Sequence, residues 1–405
     1  MQEKIKEAVL KAKEKPAIYG PDIDLDQYDA TVQEHPYMED LCELGAGERE
    51  AMESAGLNIS GDGRSGSYVM MDKSIIHCNI VQPGVEVMDI GDALKRSKEL
   101  KEYVWQAVSP DTDKYTAHTY LQPISGYFIH VLPGTKALYP VQACLYMGHD
   151  KMAQYVHNVI IAEEGAELDI ITGCTTGPKL HSGLHVGVSE FYIKGGAKVT
   201  FTMIHNWAED VIVRPRTGAV IEESGTFISN YVSMKKVRST QMYPVAYLKG
   251  EGATARFSSI LVAPPGSDLD VGAKVLLQAK GARAEVISRA ISTGGIIRAR
   301  GYLIGEVPDV KAHLECRGLL LTDKGLIHAI PELEGQKEGV DLSHEAAVGK
   351  IAQEEIEYLM ARGLSEDEAT AIIVRGFLNV EIKGLPPALR VEIDRAIDES
   401  EKDLL

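Results

Sequence analysis

Five short strings decide how this chain is read: Gly165-Ala166-Glu167-Leu168-Asp169-Ile170, Gly196-Ala197-Lys198-Val199-Thr200-Phe201, Gly225-Thr226-Phe227-Ile228-Ser229-Asn230, Gly252-Ala253-Thr254-Ala255-Arg256-Phe257 and Gly281-Ala282-Arg283-Ala284-Glu285-Val286. Each places a small turn before alternating residues, the period-two signature of a strand with one buried face. The leading glycines are separated by 31, 29, 27 and 29 residues, and no helical segment lies between them. A β-sandwich more commonly shows turns about every 8–12 residues without a longer period. Units of this length instead suit the coils of a parallel β-helix, each burying its apolar edge against the next. The pattern predicts a mainly β fold with a solenoid core.

Texture changes on either side of these strings. Residues 1–115 read as a mixed helical N-terminal region, with charged helical segments at Lys4–Lys15 and Leu94–Ala107 and a turn-rich patch at Ser60–Ser67. Residues 116–340 form the expected β-helix core, and 341–405 a C-terminal helical region. Within the last, Ala347, Ile351, Ile356 and Leu359 have helical spacing over Ala346–Met360, with Gly363 as the stop. Ser365 and Glu368 have capping-box spacing at the head of the following helix. Pro386-Pro387 opens a last helix before the acidic stretch Glu399–Asp403. Such helices would cap the open end of a solenoid or bind a partner.

Composition narrows the function. The chain has 405 residues, 44% hydrophobic, and a formal charge of −17 from 59 acidic and 42 basic residues. A nucleic-acid partner is disfavoured, because such binding relies on Lys and Arg displacing condensed counterions. No run approaches the roughly 18 apolar residues that span a bilayer. The opening string MQEKIKEAVLKAKEK is charged throughout and lacks the apolar core of a secretory signal. A cytoplasmic protein without membrane contact is expected. The five cysteines, Cys42, Cys78, Cys144, Cys174 and Cys316, are scattered and include no CxxC pair. This speaks against a disulfide framework and against a self-contained four-thiolate metal site. Metal ligands would have to converge from distant positions or from two chains.

Enzyme signatures are missing. There is no GxxxxGK[ST] phosphate loop, no HExxH, no GxSxG and no dinucleotide GxGxxG in a strand–turn–helix setting. Two clusters offer metal-ligating chemistry: His313-Leu314-Glu315-Cys316, and Asp341-Leu342-Ser343-His344-Glu345. Thiolate, imidazole and carboxylate together suit iron or zinc. Their plainer readings are a buried strand cysteine behaving as a small hydrophobe and acidic residues at a helix start. Cys174 by itself reads as a packed core thiol, and Trp207 as a packing anchor whose indole N–H needs an acceptor. His181 and His185, four apart without helical context, do not form a metal pair.

Collinear segments then resemble the SufB/SufD family of iron–sulfur assembly proteins over roughly residues 120–385. They are FIHVLPGTKALYPVQACLYM (Phe128–Met147), AQYVHNVIIAEEGAELDIITGC (Ala153–Cys174), Leu180–Trp207, SHEAAVGKI (Ser343–Ile351) and EIEYLMARGLSEDEATAIIVRGF (Glu355–Phe377). The resemblance implies a right-handed parallel β-helix flanked by helical N- and C-terminal parts. It implies subunit pairing, as a homodimer or with a SufB/SufD paralogue, and docking of a SufC-like ABC-type ATPase on the C-terminal helices. It also implies a non-enzymatic scaffold for a transient iron–sulfur cluster, ATP being hydrolysed by the partner. The SufB cysteine and the glutamate associated with cluster assembly map onto Cys316 and Glu345, with His344 beside the latter. Departures are Ser343 where SufB carries a first glutamate, His205 in place of the glutamine of QNW, and no cysteine between Cys174 and Cys316 along the interior where SufB passes sulfur. A shorter, homodimeric form combining both roles is one reading. A SufD-like structural subunit without a cluster is the alternative. A polysaccharide-acting β-helix enzyme is a third reading, disfavoured because such proteins are secreted. A transporter lacks both a nucleotide loop and a span.

Overall fold

Corners of the coils are set by residues in the left-handed backbone region. Gly165, Gly196, Gly252 and Gly281 have φ of +68°, +65°, +68° and +72°, a conformation that costs glycine nothing and other residues about 1–2 kcal/mol. Each corner N–H donates to a carbonyl in the next corner, as Gly165 does to Gly195 (2.9 Å) and Gly281 to Asp309 (3.0 Å). The computed structural model describes residues 2–29 and 34–378. Two corners escaped the glycine pattern. In the middle coil the left-handed residue is Ser224 (φ +54°), one place before Gly225, and in the coil after Gly281 it is Asp309 (φ +59°).

Strands between corners stack in parallel into a β-solenoid of about 8 turns. One sheet of ten strands runs from Ser74–Ile80 through Gly66–Met71, Val141–Met147, Glu167–Thr176, Lys198–Asn206, Thr226–Ser233, Thr254–Ala263, Arg283–Ser292 and Lys311–Leu320 to Asp341–Gly349. A second sheet of eleven strands faces it. Alternation behaves as the sequence predicts. In Arg283–Ser292, Ala284 and Val286 are buried while Arg283 and Glu285 are exposed. Four phenylalanines cluster through the interior: the Phe191 ring centroid lies 4.9 Å from those of both Phe201 and Phe227, and Phe227 lies 5.9 Å from Phe257. Such offset and edge contacts add about 0.5–1.5 kcal/mol per pair to area burial.

The two ends of the solenoid differ. At the N-terminal end, Ser74–Ile80 and Val85–Asp89 pair antiparallel with the first coil and cover its edge, blunting a template for unwanted strand addition. At the other end Asp341–Gly349 is exposed along nearly its whole length. Here the structure corrects the sequence reading: the helix expected from Ala346 begins at Gln353, because residues 341–349 form a strand in register with Lys311–Leu319. Solenoid strands thus lie outside 116–340 on both sides, at Gly66–Met71 and at Asp341–Gly349. The alanines at 346 and 347 suit a helix locally; the ladder offered by the preceding coil decides against it.

Helix Glu366–Leu378 opens with the expected cap, Ser365 N–H donating to Glu368 Oε2 (2.8 Å) and Glu368 N–H to Ser365 Oγ (3.3 Å). It does not close the end of the solenoid. Its Ala371, Val374 and Leu378 pack across the outer face of the ten-stranded sheet, on Ile204, Val232 and Ile260 among others. The helix proposed after Pro386 lies outside the described residues. In the N-terminal part, the segment read as one helix over Leu94–Ala107 is helical at Ile90–Arg96, followed by a short turn at Glu99–Glu102. Beyond it, the buried Glu190 carboxylate accepts from the amides of Trp105, Ala107 and Val108, drawing those N–H groups away from helical partners. Among the described residues no helix is long and apolar enough to cross a membrane.

Candidate functional site

Cys316 sits near the open end of the solenoid, on the inward face of Lys311–Leu320 with Ala312 and Leu314, and is 3% exposed. Burial pushes its thiol up to about 11, with neighbouring Glu315 adding to the shift and Arg289 opposing it. The thiol is therefore protonated at neutral pH until a metal ion or reaction displaces the proton.

The final strand supplies the other two expected ligands on different faces. Leu342 pairs with the buried Ala312 and packs on the interior core, and His344, two residues on, pairs with Leu314. Alternation therefore aims His344 toward the interior side, above the layer that holds Cys316. Glu345 pairs with Glu315 on the outer face. There Arg317 binds both carboxylates, at 2.6 Å from Glu315 Oε1 and 3.4 Å from Glu345 Oε1, while Arg289 reaches Glu315 at 2.8 Å. Within one chain Cys316 and His344 share a face and Glu345 does not. His313 also faces outward, Nδ1 lying 2.9 Å from Ser343 Oγ.

A polar track missed by the sequence reading runs inside the coils. Tyr231, Ser259, Ser288 and Cys316 occupy one register column on four successive coils. Tyr231 meets His205 Nδ1 at 2.9 Å, and His205 is in register with Cys174. Tyr231, Ser259 and Ser288 also line a small internal cavity. His205 Nε2, Trp207 Nε1 and Ser288 Oγ are buried without hydrogen-bond partners, each costing about 1–3 kcal/mol. The indole acceptor expected for Trp207 is thus lacking; its ring lies against His185 and His205 instead, with centroids 4.9 and 5.5 Å away. Burial raises the Cys174 thiol well above its ordinary range and lowers His185 to about 3. His185 is bound through Nδ1 to Gln154 Oε1 at 2.9 Å. The signal available in the sequence was a histidine, tryptophan and cysteine at inward positions of otherwise apolar strands.

Stacked parallel coils, with one end covered by antiparallel strands and the other, among the described residues, exposed and carrying thiol and imidazole, define a β-solenoid scaffold. The family model described as "SUF system FeS cluster assembly, SufBD core domain" matches residues 145–377. An iron–sulfur cluster assembly SufBD family protein of Archaeoglobus fulgidus is 49% identical over 363 residues, covering 90% of this chain and 97% of its own. One from Methanothermobacter thermautotrophicus is 48% identical over 400 residues, 97% of this chain and 98% of that protein. The iron–sulfur cluster assembly protein SufB of Bacillus subtilis is 34% identical over 322 residues, 78% and 68% respectively. The chain belongs to the SufBD family, and its role lies in iron–sulfur cluster assembly.

Proposed function

We propose that this chain is a non-enzymatic scaffold in which two subunits abut through their bare coils and hold a nascent iron–sulfur cluster, as cargo, between them. The observation that carries the reading is the uncovered strand Asp341–Gly349, which presents His344 above the layer of Cys316. A twofold interface there doubles the ligands and brings Glu345 of one copy toward Cys316 of the other, which a single sheet keeps on opposite faces. The second subunit is another copy of this chain or a SufB/SufD paralogue.

A SufC-like ABC-type ATPase docks on the helices Gln353–Met360 and Glu366–Leu378. These expose Tyr358 (58%), Met360 (40%) and Ile372 (46%), apolar side chains of the kind buried by protein partners. ATP-driven closure of the docked subunits would shift the scaffold dimer and open or compress the site. Cys174 serves as the interior sulfur-carrying cysteine, and the column through His205, Tyr231, Ser259 and Ser288 links it to Cys316. The two unpaired polar atoms along it, His205 Nε2 and Ser288 Oγ, kept at a cost in stability, support that use. The reaction takes place in the cytoplasm.

One observation favours the second reading, a SufD-like structural subunit without a cluster: Glu345 is already engaged by Arg317. Anaerobic co-purification with the ATPase, followed by iron and acid-labile sulfide analysis, separates the two. The scaffold reading expects visible charge-transfer absorption that Cys316→Ser removes while ATPase binding persists. Equal iron and sulfide in the variant would overturn the ligand assignment, and a colourless parent complex would favour the structural subunit.

A further inference from the structure

Far from the bare coil, three segments bring two imidazoles onto one carboxylate. Asp72 occupies the tight turn between Gly66–Met71 and Ser74–Ile80, at φ +56°. It is completely buried. Its backbone is fixed by an N–H bond to Tyr146 O (2.7 Å) and by Gln154 Nε2 on its own carbonyl (2.7 Å). Its Oδ1 accepts from Gly148 N–H at 2.6 Å, which leaves Oδ2 directed at the two rings. His35 Nε2 lies 2.7 Å from Oδ2, and His149 Nδ1 lies 2.5 Å from the same atom. His35 is itself anchored through its N–H to Ser74 Oγ at 2.9 Å.

We propose that His35, Asp72 and His149 form a divalent transition-metal site, distinct from the cluster-holding end and independent of the assembly reading. The three ligand atoms lie within 4.8 Å of one another; ligand atoms held about 2.0–2.2 Å from one tetrahedral ion stand about 3.3–3.6 Å apart, so the two rings draw back slightly from their hydrogen-bonded distances to admit it. Two imidazoles and one carboxylate are a donor set for Fe2+, Co2+ or Zn2+ with coordination positions left open. Charge supports the assignment. Both of these contacts made by the buried carboxylate are to imidazoles, which are cationic only when protonated, and a buried carboxylate is costly without compensating charge. A divalent ion supplies that charge. Access exists, because the side chains of His35 and His149 are 22% and 44% exposed.

The test titrates the full chain, carrying Cys316→Ser and His344→Ala to remove competing ligands, with Co2+ and then Zn2+. The expected result is one Co2+ per chain with d–d absorption, displaced by Zn2+. His149→Ala or His35→Ala should weaken binding more than about 100-fold, since losing even an outer partner of a ligand costs 10–100-fold. Should either variant fail to fold, Zn2+ protection of His35 and His149 from diethyl pyrocarbonate, mapped by peptide mass spectrometry, decides on the unsubstituted histidines. Unaltered Co2+ binding in folded His149→Ala, no binding at millimolar metal, or no protection would reduce the trio to a hydrogen-bonded clasp.

Discussion

Cys316 stands in register with Ala346, not with Glu345, so the thiol and the carboxylate leave their sheet on opposite sides. A single chain does not gather both around one ion.

That relationship predicts complementation between two defective chains. Cys316→Ser and Glu345→Gln homodimers should each lose most of their iron and sulfide after anaerobic reconstitution. A heterodimer of the two, purified through different tags, should regain about half the parent content, because one of its two shared sites is whole. Failure to regain any, with dimerisation intact, would place the ligands within one subunit.

Turn geometry predicts a ranked stability series. Gly196→Ala should cost about 1–2 kcal/mol, since its φ of +65° penalises any Cβ although space is open. Gly218→Ala should cost more, because the new methyl would lie 2.3 Å from Ala107 O, a backbone atom that carries the N-terminal segment. Gly376→Ala, exposed in a helix with nothing within 4 Å, should stabilise its helix by up to about 1 kcal/mol. Denaturant unfolding checks the order of the first two, and amide exchange of residues 366–378 checks the third.

The interior histidines predict an acid-side loss of stability. His185 ordinarily titrates near 6.5 and is lowered to about 3 by burial. The unfolded chain therefore binds the proton first as pH falls, so stability is full above about 6.5 and declines between about 6.5 and 3, by at most about 1.4 kcal/mol per pH unit for one proton. His185→Gln should flatten that decline relative to the parent. An unchanged pH slope of the unfolding free energy in that window would mean that the ring is not held neutral.

Much of this was legible in one dimension. The corner glycines, the alternation behind them, the Ser365–Glu368 cap and the collinear segments that mark the SufBD family are local features. Backbone conformation and strand period are properties of neighbouring residues, which is why short strings reveal them. Ser224 and Asp309 were missed as corners because a polar residue can occupy the left-handed region when the ladder on either side holds it there.

Register, by contrast, joins residues about 30 positions apart, and a shift by one exchanges the faces of a strand. Sequence could nominate Cys316, His344 and Glu345 as candidate ligands. Only the folded coils placed the first two on one side and the third on the other, turned Ala346 and its neighbours from helix to strand, and laid the C-terminal helix along a flank instead of over the end. The meeting of His35, Asp72 and His149 has the same origin: each sits in an unremarkable local string, and their proximity exists only because a turn, a strand end and an N-terminal segment are packed together.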